Sequence, residues 1–147
     1  MIVRMFPTDA NPAGNVFGGV ILRNIDSVAG LVAQRHCRTN AVTVSMDKVT
    51  FLKPVYVGNA LVLNARVNYV HKSSLEIEIK VEAEDMEKGT RNITGTAFVT
   101  FVALDKNGKP TPIPKLKLET EEDKQKFEEG RIRMEKRIQE RNKEKLP

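Results

Sequence analysis

The sequence has few of the residues on which several common kinds of site depend. It holds one cysteine and two histidines, and aromatic residues make up 5% of its 147 residues. A single cysteine excludes an intrachain disulfide framework, and Cys37, His36 and His71 are too few for a structural zinc site. Cys37 also lacks the G-x-C-type turn of a nucleophile. So few aromatics, without interleaved basic residues, argue against stacking on nucleic-acid bases. We expect no metal, no cofactor and no nucleic-acid partner.

Long apolar runs are also missing. The most apolar stretch, residues 41–57, is interrupted by charged residues and a proline, whereas a membrane span needs about 20 continuous apolar residues. The first residues lack the basic segment and apolar core of a secretory signal. The sequence therefore predicts a cytoplasmic protein with no membrane partner. The length and the 40% apolar content are enough for one core, and the net charge of +5 suits an anionic ligand.

A glycine-rich loop runs directly into an apolar helix pattern. Residues 11–19 (NPAGNVFGG) hold three glycines and two asparagines, and residues 20–33 place apolar side chains on one face of a helix. A helix N-terminus presents free backbone N–H groups and a partial positive charge. Gly18 and Gly19 are therefore candidates to bind a phosphate, a carboxylate or a polarised carbonyl oxygen.

Asp26 lies at the border of that apolar face, in line with Gly19 and Gly30. Because these neighbours are small, there is room beside the carboxylate for a ligand. Periodicity alone leaves two interpretations open. Asp26 forms an ion pair with Arg23, three residues earlier, or it belongs to a functional site.

The middle of the chain alternates in the pattern of an antiparallel sheet. The first six residues predict a short edge strand that Pro7 ends. Four longer strands are predicted from alternating apolar and polar residues over 42–52, 61–69, 75–83 and 94–102. One face of the sheet is expected to be covered, while the other faces water through Glu76, Glu78, Lys80 and Glu82. The prediction is an α+β domain in which five to six strands wrap one long helix.

The end of the chain is a charged segment. Residues 110–114 form a proline-rich connector, and Thr120 to Asp123 carry a signal for the start of a helix. We therefore divide the chain into a domain of residues 1–114 and a helical extension of residues 115–147. Two interpretations of the extension remain open: a lid or a contact with a neighbouring subunit, or a solvated and partly frayed helix.

Eight short segments, in one order along the chain, carry a resemblance to a known family. They are 7–11 (PTDAN), 14–19 (GNVFGG), 25–30 (IDSVAG), 35–40 (RHCRTN), 50–55 (TFLKPV), 72–75 (KSSL), 98–102 (FVTFV) and 126–130 (KFEEG). In this combination the sequence resembles the hotdog-fold acyl-CoA thioesterases, specifically the branch of cytosolic acyl-CoA hydrolases. The resemblance covers almost the whole chain.

The resemblance implies a hotdog fold and the hydrolysis of acyl-CoA thioesters to free fatty acid and coenzyme A, which is part of the substrate and not a cofactor. It implies that Asp26 activates water or attacks the carbonyl, and that Asn15 orients the thioester or the water. The amides of Gly18 and Gly19 then polarise the carbonyl oxygen. Four hydroxyl residues are candidate substrate contacts or, equally, ordinary strand and turn residues: Thr43, Ser45, Ser73 and Ser74.

In the family that the sequence resembles, the site lies between two subunits. Asn15 and Asp26 are 11 residues apart, and at about 1.5 Å per helical residue they are too distant to share one carbonyl within a subunit. We expect a homodimer that assembles into a trimer of dimers. Two alternatives stay open: a hotdog dehydratase, which would present a histidine in the loop or helix, and a non-catalytic acyl-CoA sensor, which would not need Asp26.

Overall fold

An antiparallel sheet of five strands forms the body of the molecule, which the computed structural model describes over residues 1–145. The elements follow the order β1 (Ile2–Arg4), a 3-10 turn (Pro7–Asp9), α1 (Gly18–Cys37), β2 (Asn40–Phe51), β3 (Ala60–His71), β4 (Ser74–Asp85), β5 (Thr90–Leu104) and α2 (Glu121–Glu144). In the sheet the strands lie in the order β1-β3-β4-β5-β2, so β2 is a free edge. The predicted α+β fold, a sheet around one long helix with a second helix at the end of the chain, is confirmed.

Helix α1 packs its apolar face on one face of the sheet. Its buried side chains meet those of the central strands, and together they form the core: Ile21, Ile25, Val28, Ala29 and Ala33 from α1, with Leu75, Ile77, Ile79 and Phe101 from the sheet. A Cβ atom at Gly30 would lie 3.8 Å from the Phe101 ring, so this glycine allows close packing of helix on sheet. Burying each large apolar side chain contributes about 1.5 to 3 kcal/mol. The core therefore fixes which way the rest of α1 faces.

The opposite face of the sheet, here called the outer face, is covered by α2. Glu76 is only 3% exposed and accepts from Arg133 at 2.7 and 2.9 Å. Glu78, half-buried, accepts from Lys126 at 3.0 Å. The prediction that these two carboxylates face water is therefore wrong. Alternation identifies the polar face of a strand, but it does not show what covers that face.

Helix α2 is anchored on the outer face from its first turn to Arg137, whereas residues 138–145 are exposed. Its first turn has the predicted capping box, in which Thr120 and Asp123 each accept from the other's backbone N–H. Gly130 is buried so closely that a Cβ atom there would lie 2.7 Å from Cβ of Tyr69, and the Phe127 ring meets the Tyr69 ring edge-on at 4.7 Å. Up to Arg137 the helix is thus packed on the sheet, and a contact of the extension with a neighbouring subunit stays a prediction. The division into a domain of residues 1–114 and an extension stays a prediction, and part of that extension, residues 146–147, lies outside the described residues.

Candidate active site

The loop before α1 is closed by Asn11. Its side-chain oxygen accepts from the backbone N–H groups of Ala13 and Asn15 at 3.0 and 3.1 Å, and its backbone N–H donates to the Asn15 carbonyl at 2.7 Å. Gly14 allows the turn with a φ of 89°, a left-handed conformation that favours glycine. Because the Asn11 oxygen is occupied by the loop itself, its NH2 group is left as the donor. No acceptor for that group is found within residues 1–145.

The N-terminus of α1 has no side-chain cap. The N-cap residue is Phe17, whose side chain cannot accept a hydrogen bond, and the first turn holds no acidic residue. The amides of Gly18 and Gly19 are in the first turn, where an α-helix offers no internal acceptor. A Cβ atom at Gly19 would overlap the Phe17 ring, so the ring covers this glycine. The predicted donors for a carbonyl oxygen are therefore uncapped and half-buried at the positive end of a helix dipole.

Asp26 lies two turns further along α1 and is exposed. Its carboxylate accepts a 2.6 Å hydrogen bond from the hydroxyl of Thr43 on β2. Within the described part of the chain Asp26 makes no ion pair, so the alternative in which it pairs with Arg23 is not realised. A short hydrogen bond to an ionised carboxylate is among the stronger neutral-to-charged contacts. Thr43 therefore orients Asp26 and keeps it on the helix surface that faces away from the core.

The three predicted serines lie elsewhere. Ser45 is two residues beyond Thr43, but its hydroxyl lies on the outer face, 3.5 Å from the Asp47 carboxylate. Ser74 donates to the His71 carbonyl of its own turn at 3.1 Å, and the Ser73 carbonyl accepts from Ala103. Of the four predicted hydroxyl residues, Thr43 is the one that donates a hydrogen bond to Asp26 within the described residues. The substrate contacts predicted for the serines remain predictions.

The two parts of the predicted machinery are separated within one chain. Gly19 and Asp26 are seven residues apart in α1, which corresponds to about 10 Å along the helix axis. An amide that binds the carbonyl oxygen and a base that activates the attacking water must each lie about 3 Å from their targets. This separation favours a site in which the loop and the carboxylate come from different subunits.

The other nucleophile and ligand candidates lie away from this surface. Cys37 is buried at the end of α1, and burial raises the pKa of its thiol, so the reactive thiolate is disfavoured. His36 contacts the Pro114 carbonyl at 2.8 Å, and His71 stacks on Tyr69. Residues 1–145 contain no group of three or more side chains placed to hold a metal ion. No helix in this range is long and apolar enough to cross a membrane.

Comparison with known proteins identifies the family. The family model of the thioesterase superfamily matches residues 13–90, which include most of the loop, α1 and the Thr43 strand. The chain belongs to the thioesterase superfamily. The family predicted from the sequence is thus confirmed.

Several relatives and solved structures are similar to this chain over most of its length. This thioesterase is 46% identical over 120 residues to an uncharacterized acyl-CoA thioester hydrolase of Bacillus subtilis, covering 82% of this chain and 70% of that one. It is 40% identical over 129 residues to the cytosolic acyl coenzyme A thioester hydrolase of Rattus norvegicus, covering 86% of this chain but only 34% of that one. An apo-hexameric acyl-CoA thioesterase superposes with a TM-score of 0.90 at 36% identity, over 95% and 90% of the two chains.

The acyl-CoA hydrolase of Staphylococcus aureus, solved with butyryl coenzyme A and coenzyme A, superposes with a TM-score of 0.90 at 33% identity, over 99% of this chain and 88% of that one. It has also been solved as alanine variants of one asparagine, one aspartate and one threonine. The asparagine stands 15 residues before the aspartate, and the threonine stands 17 residues after it. In this thioesterase Asn11, Asp26 and Thr43 have the same order and spacing.

The sequence predicts Asn15, and not Asn11, as the loop asparagine of the site. Both asparagines of the loop suit a hydrogen-bonding role, and the family resemblance led to Asn15. The local signal was the turn chemistry, since an asparagine three residues before a glycine often closes a loop with its side-chain oxygen. Asn15 forms a backbone bridge to Tyr56, and no side-chain hydrogen bond of Asn15 is found in the described residues. Its predicted role stays a prediction.

Proposed function

We propose that this protein hydrolyses acyl-CoA thioesters at a site made from the α1 N-terminus and loop of one subunit and Asp26 of another. The observation that carries the proposal is the 2.6 Å hydrogen bond of Thr43 to Asp26 on the exposed side of α1. This hydrogen bond orients a carboxylate in a chain that belongs to the thioesterase superfamily. The uncapped amides of Gly18 and Gly19 supply the matching donors for a carbonyl oxygen.

In the proposed reaction a water molecule attacks the thioester carbonyl carbon. Asp26 takes one proton from the water, and the charge that develops on the carbonyl oxygen is stabilised by the two amides. The carbon–sulfur bond then breaks, the thiolate of coenzyme A leaves, and the proton held by Asp26 passes to the sulfur. The products are a free fatty acid and coenzyme A. Direct attack by Asp26, with a mixed anhydride that water then cleaves, uses the same residues.

Asn11 supplies a further hydrogen-bond donor from the loop. Its oxygen binds the loop, which leaves its NH2 group to donate, and the matching spacing of the Staphylococcus aureus variants supports a role beside Asp26 and Thr43. A donor in this position can hold the thioester oxygen or the water. Asn15, the residue predicted from the sequence, lies in the same loop and is the natural comparison.

The shared site requires at least a homodimer, and we propose a trimer of such dimers. Strand β2 is a 12-residue free edge whose neighbourhood exposes apolar side chains, which suits pairing with a second copy. Those side chains are Val42, Val44, Phe51 and Leu52. Structural neighbours named as hexameric thioesterases support the larger assembly. The rat relative, named as cytosolic, supports a cytoplasmic location.

The test is release of free thiol from acyl-CoAs with chains from acetyl to palmitoyl, with and without chelator. We expect hydrolysis of at least one chain length, unchanged by chelator. In Asp26→Asn, which keeps the size of the side chain, kcat should fall about 100-fold or more because the base is lost. Full activity with a lowered melting temperature would instead make Asp26 structural. Binding of acyl-CoA without turnover by the wild-type protein would favour the sensor alternative.

A paired comparison separates the two asparagines. In Asn11→Ala we expect a larger fall in kcat than in Asn15→Ala, because Asn11 has the oriented NH2 group. Both variants remove one carboxamide from the same loop, so each is the matched control of the other. A larger fall in Asn15→Ala would restore the assignment made from the sequence.

A further inference from the structure

Strand β2 changes the direction of its side chains at Val44. Thr43 pairs with Phe101 of β5, whereas Ser45 pairs with the adjacent Thr100, so Val44 is an extra residue on β2. In a regular strand residues 43 and 45 point to the same face, and a bulge breaks that alternation. The Thr43 hydroxyl therefore reaches the carboxylate on α1, while the Ser45 hydroxyl lies on the outer face.

The segment after this bulge lies between two irregularities. Residues 45–47 pair in register with β5, but the pairing is disturbed again between Asp47 and Thr50. Within that second irregularity Lys48 has a φ of 50°, a left-handed conformation that is unfavourable for a side-chain-bearing residue. Each bulge leaves one residue of β2 unpaired and disrupts the ladder locally. Met46 packs against the core, and a contact on the outer face adds a second constraint on residues 45–47.

Arg137 of α2 makes that contact. Its Nη1 atom donates to the Asp47 carboxylate at 3.0 Å. Two hollows, of about 160 and 390 Å³, border this pair between β2 and α2, so little apolar packing supports the strand segment on its outer face. Helix α2 itself is fixed on β4 by the buried ion pair of Glu76 with Arg133. The pair of Asp47 with Arg137 therefore ties the edge strand to a firmly seated helix.

We propose that Arg137 is a positioning residue for the thioesterase site, acting through Asp47 and the bulge to hold Thr43 against Asp26. Without Arg137, residues 45–47 are released and the bulge can move along the strand. A shift of one residue turns Thr43 to the opposite face. The Asp26 carboxylate then loses its donor and its fixed orientation. The inference rests on the proposed function, because it requires Asp26 to be the reacting carboxylate.

The first test measures kcat and KM for acyl-CoA hydrolysis in full-length Arg137→Leu. We expect kcat to fall about tenfold, because Asp26 loses its hydrogen bond from Thr43, a bond to a charged group. KM should change by less than about twofold. Arg137→Lys should recover most of the activity, because it restores a cation for Asp47. The matched control is Lys126→Leu, which removes another α2 cation from its 3.0 Å pair with Glu78 on β4. Its kcat should stay within about twofold of wild type.

The second test is a double-mutant cycle with Thr43→Val, which removes the hydroxyl. If Arg137 acts through Thr43, Arg137→Leu causes no further fall in kcat when Thr43 is already valine. Additive falls, or equal falls in Arg137→Leu and Lys126→Leu, would overturn the positioning role. If Arg137→Leu does not fold, Asp47→Asn repeats the cycle from the other partner. An inactive wild-type protein would overturn the proposed function, whereas an active wild type with an unaffected Arg137→Leu overturns only the role of Arg137.

Discussion

Mixed dimers test whether each active site is shared between subunits. One variant carries Asn11→Ala and loses the loop donor, and the other carries Asp26→Ala and loses the carboxylate. Each alone should be nearly inactive, because both sites of its dimer lack one group. When the two variants are unfolded together and reassembled, a mixed dimer contains one site with neither change and one site with both.

Recovery of activity is expected because the loop and the carboxylate of one chain lie far apart. Gly19 and Asp26 of one chain are separated by about 10 Å along α1, whereas groups that act on one carbonyl lie within about 3 Å of their targets. We therefore expect the loop to serve a carboxylate from another chain. Random mixing of equal amounts makes about half of the dimers mixed, by two-fold symmetry. One intact site of two in those dimers gives roughly a quarter of wild-type activity.

The assay is free thiol release by the reassembled mixture, compared with each variant unfolded and reassembled alone. The fraction of mixed dimers is measured with an affinity tag on one variant, so that failed exchange is not mistaken for failed complementation. Verified mixed dimers as inactive as their parents would refute the reasoning. In that case the loop and the carboxylate serve the same subunit's site, or only one of the two residues takes part in catalysis.

Two further predictions concern α2. Gly130→Ala should destabilise the protein by about 1 to 2 kcal/mol in chemical denaturation, because overpacking against Tyr69 outweighs the better helix propensity of alanine. Unchanged or higher stability would show that α2 can shift. The backbone N–H groups of Glu119 and Thr120 lower the pKa of Asp123 below its ordinary value near 4. The stability from this cap is present above that value and is lost as the pH falls through the lowered pKa. Between pH 5 and 2, the melting temperature of Asp123→Asn should therefore depend less on pH than that of the wild type.

The elements that position the site were predictable because their signals are local. The apolar period of residues 20–33 predicted α1, although the helix extends from Gly18 to Cys37. The two glycines continue the helix at its start, and Arg38 ends it with a left-handed φ of 57°. Thr120 and Asp123 predicted the start of α2 through their capping box. In each case residues within a few positions of one another determine the backbone.

The parts that sequence patterns missed depend on distant or irregular contacts. Glu76 and Arg133 are 57 residues apart, so strand alternation could not show that α2 buries this carboxylate. The bulge at Val44 separates two hydroxyl residues that strict alternation places together, Thr43 and Ser45. One inserted residue in a strand reverses the direction of all that follow. The two predicted hydroxyls of β2 were therefore separated by a feature without a periodic signature.

The two helices of this chain begin in opposite ways, and the difference bears on function. Helix α2, which holds the sheet, starts with Thr120, whose side chain accepts from the backbone of Asp123. Helix α1 starts with Phe17, which caps nothing. A side-chain cap typically stabilises a helix by about 0.5 to 2 kcal/mol, and it does so by occupying the first-turn amides. A cap on α1 would thus occupy the amide of Gly19 or of Val20 and compete with a thioester carbonyl for this helix end. The uncapped start therefore gives up stability where the substrate is expected to bind, while α2 and the core provide stability elsewhere.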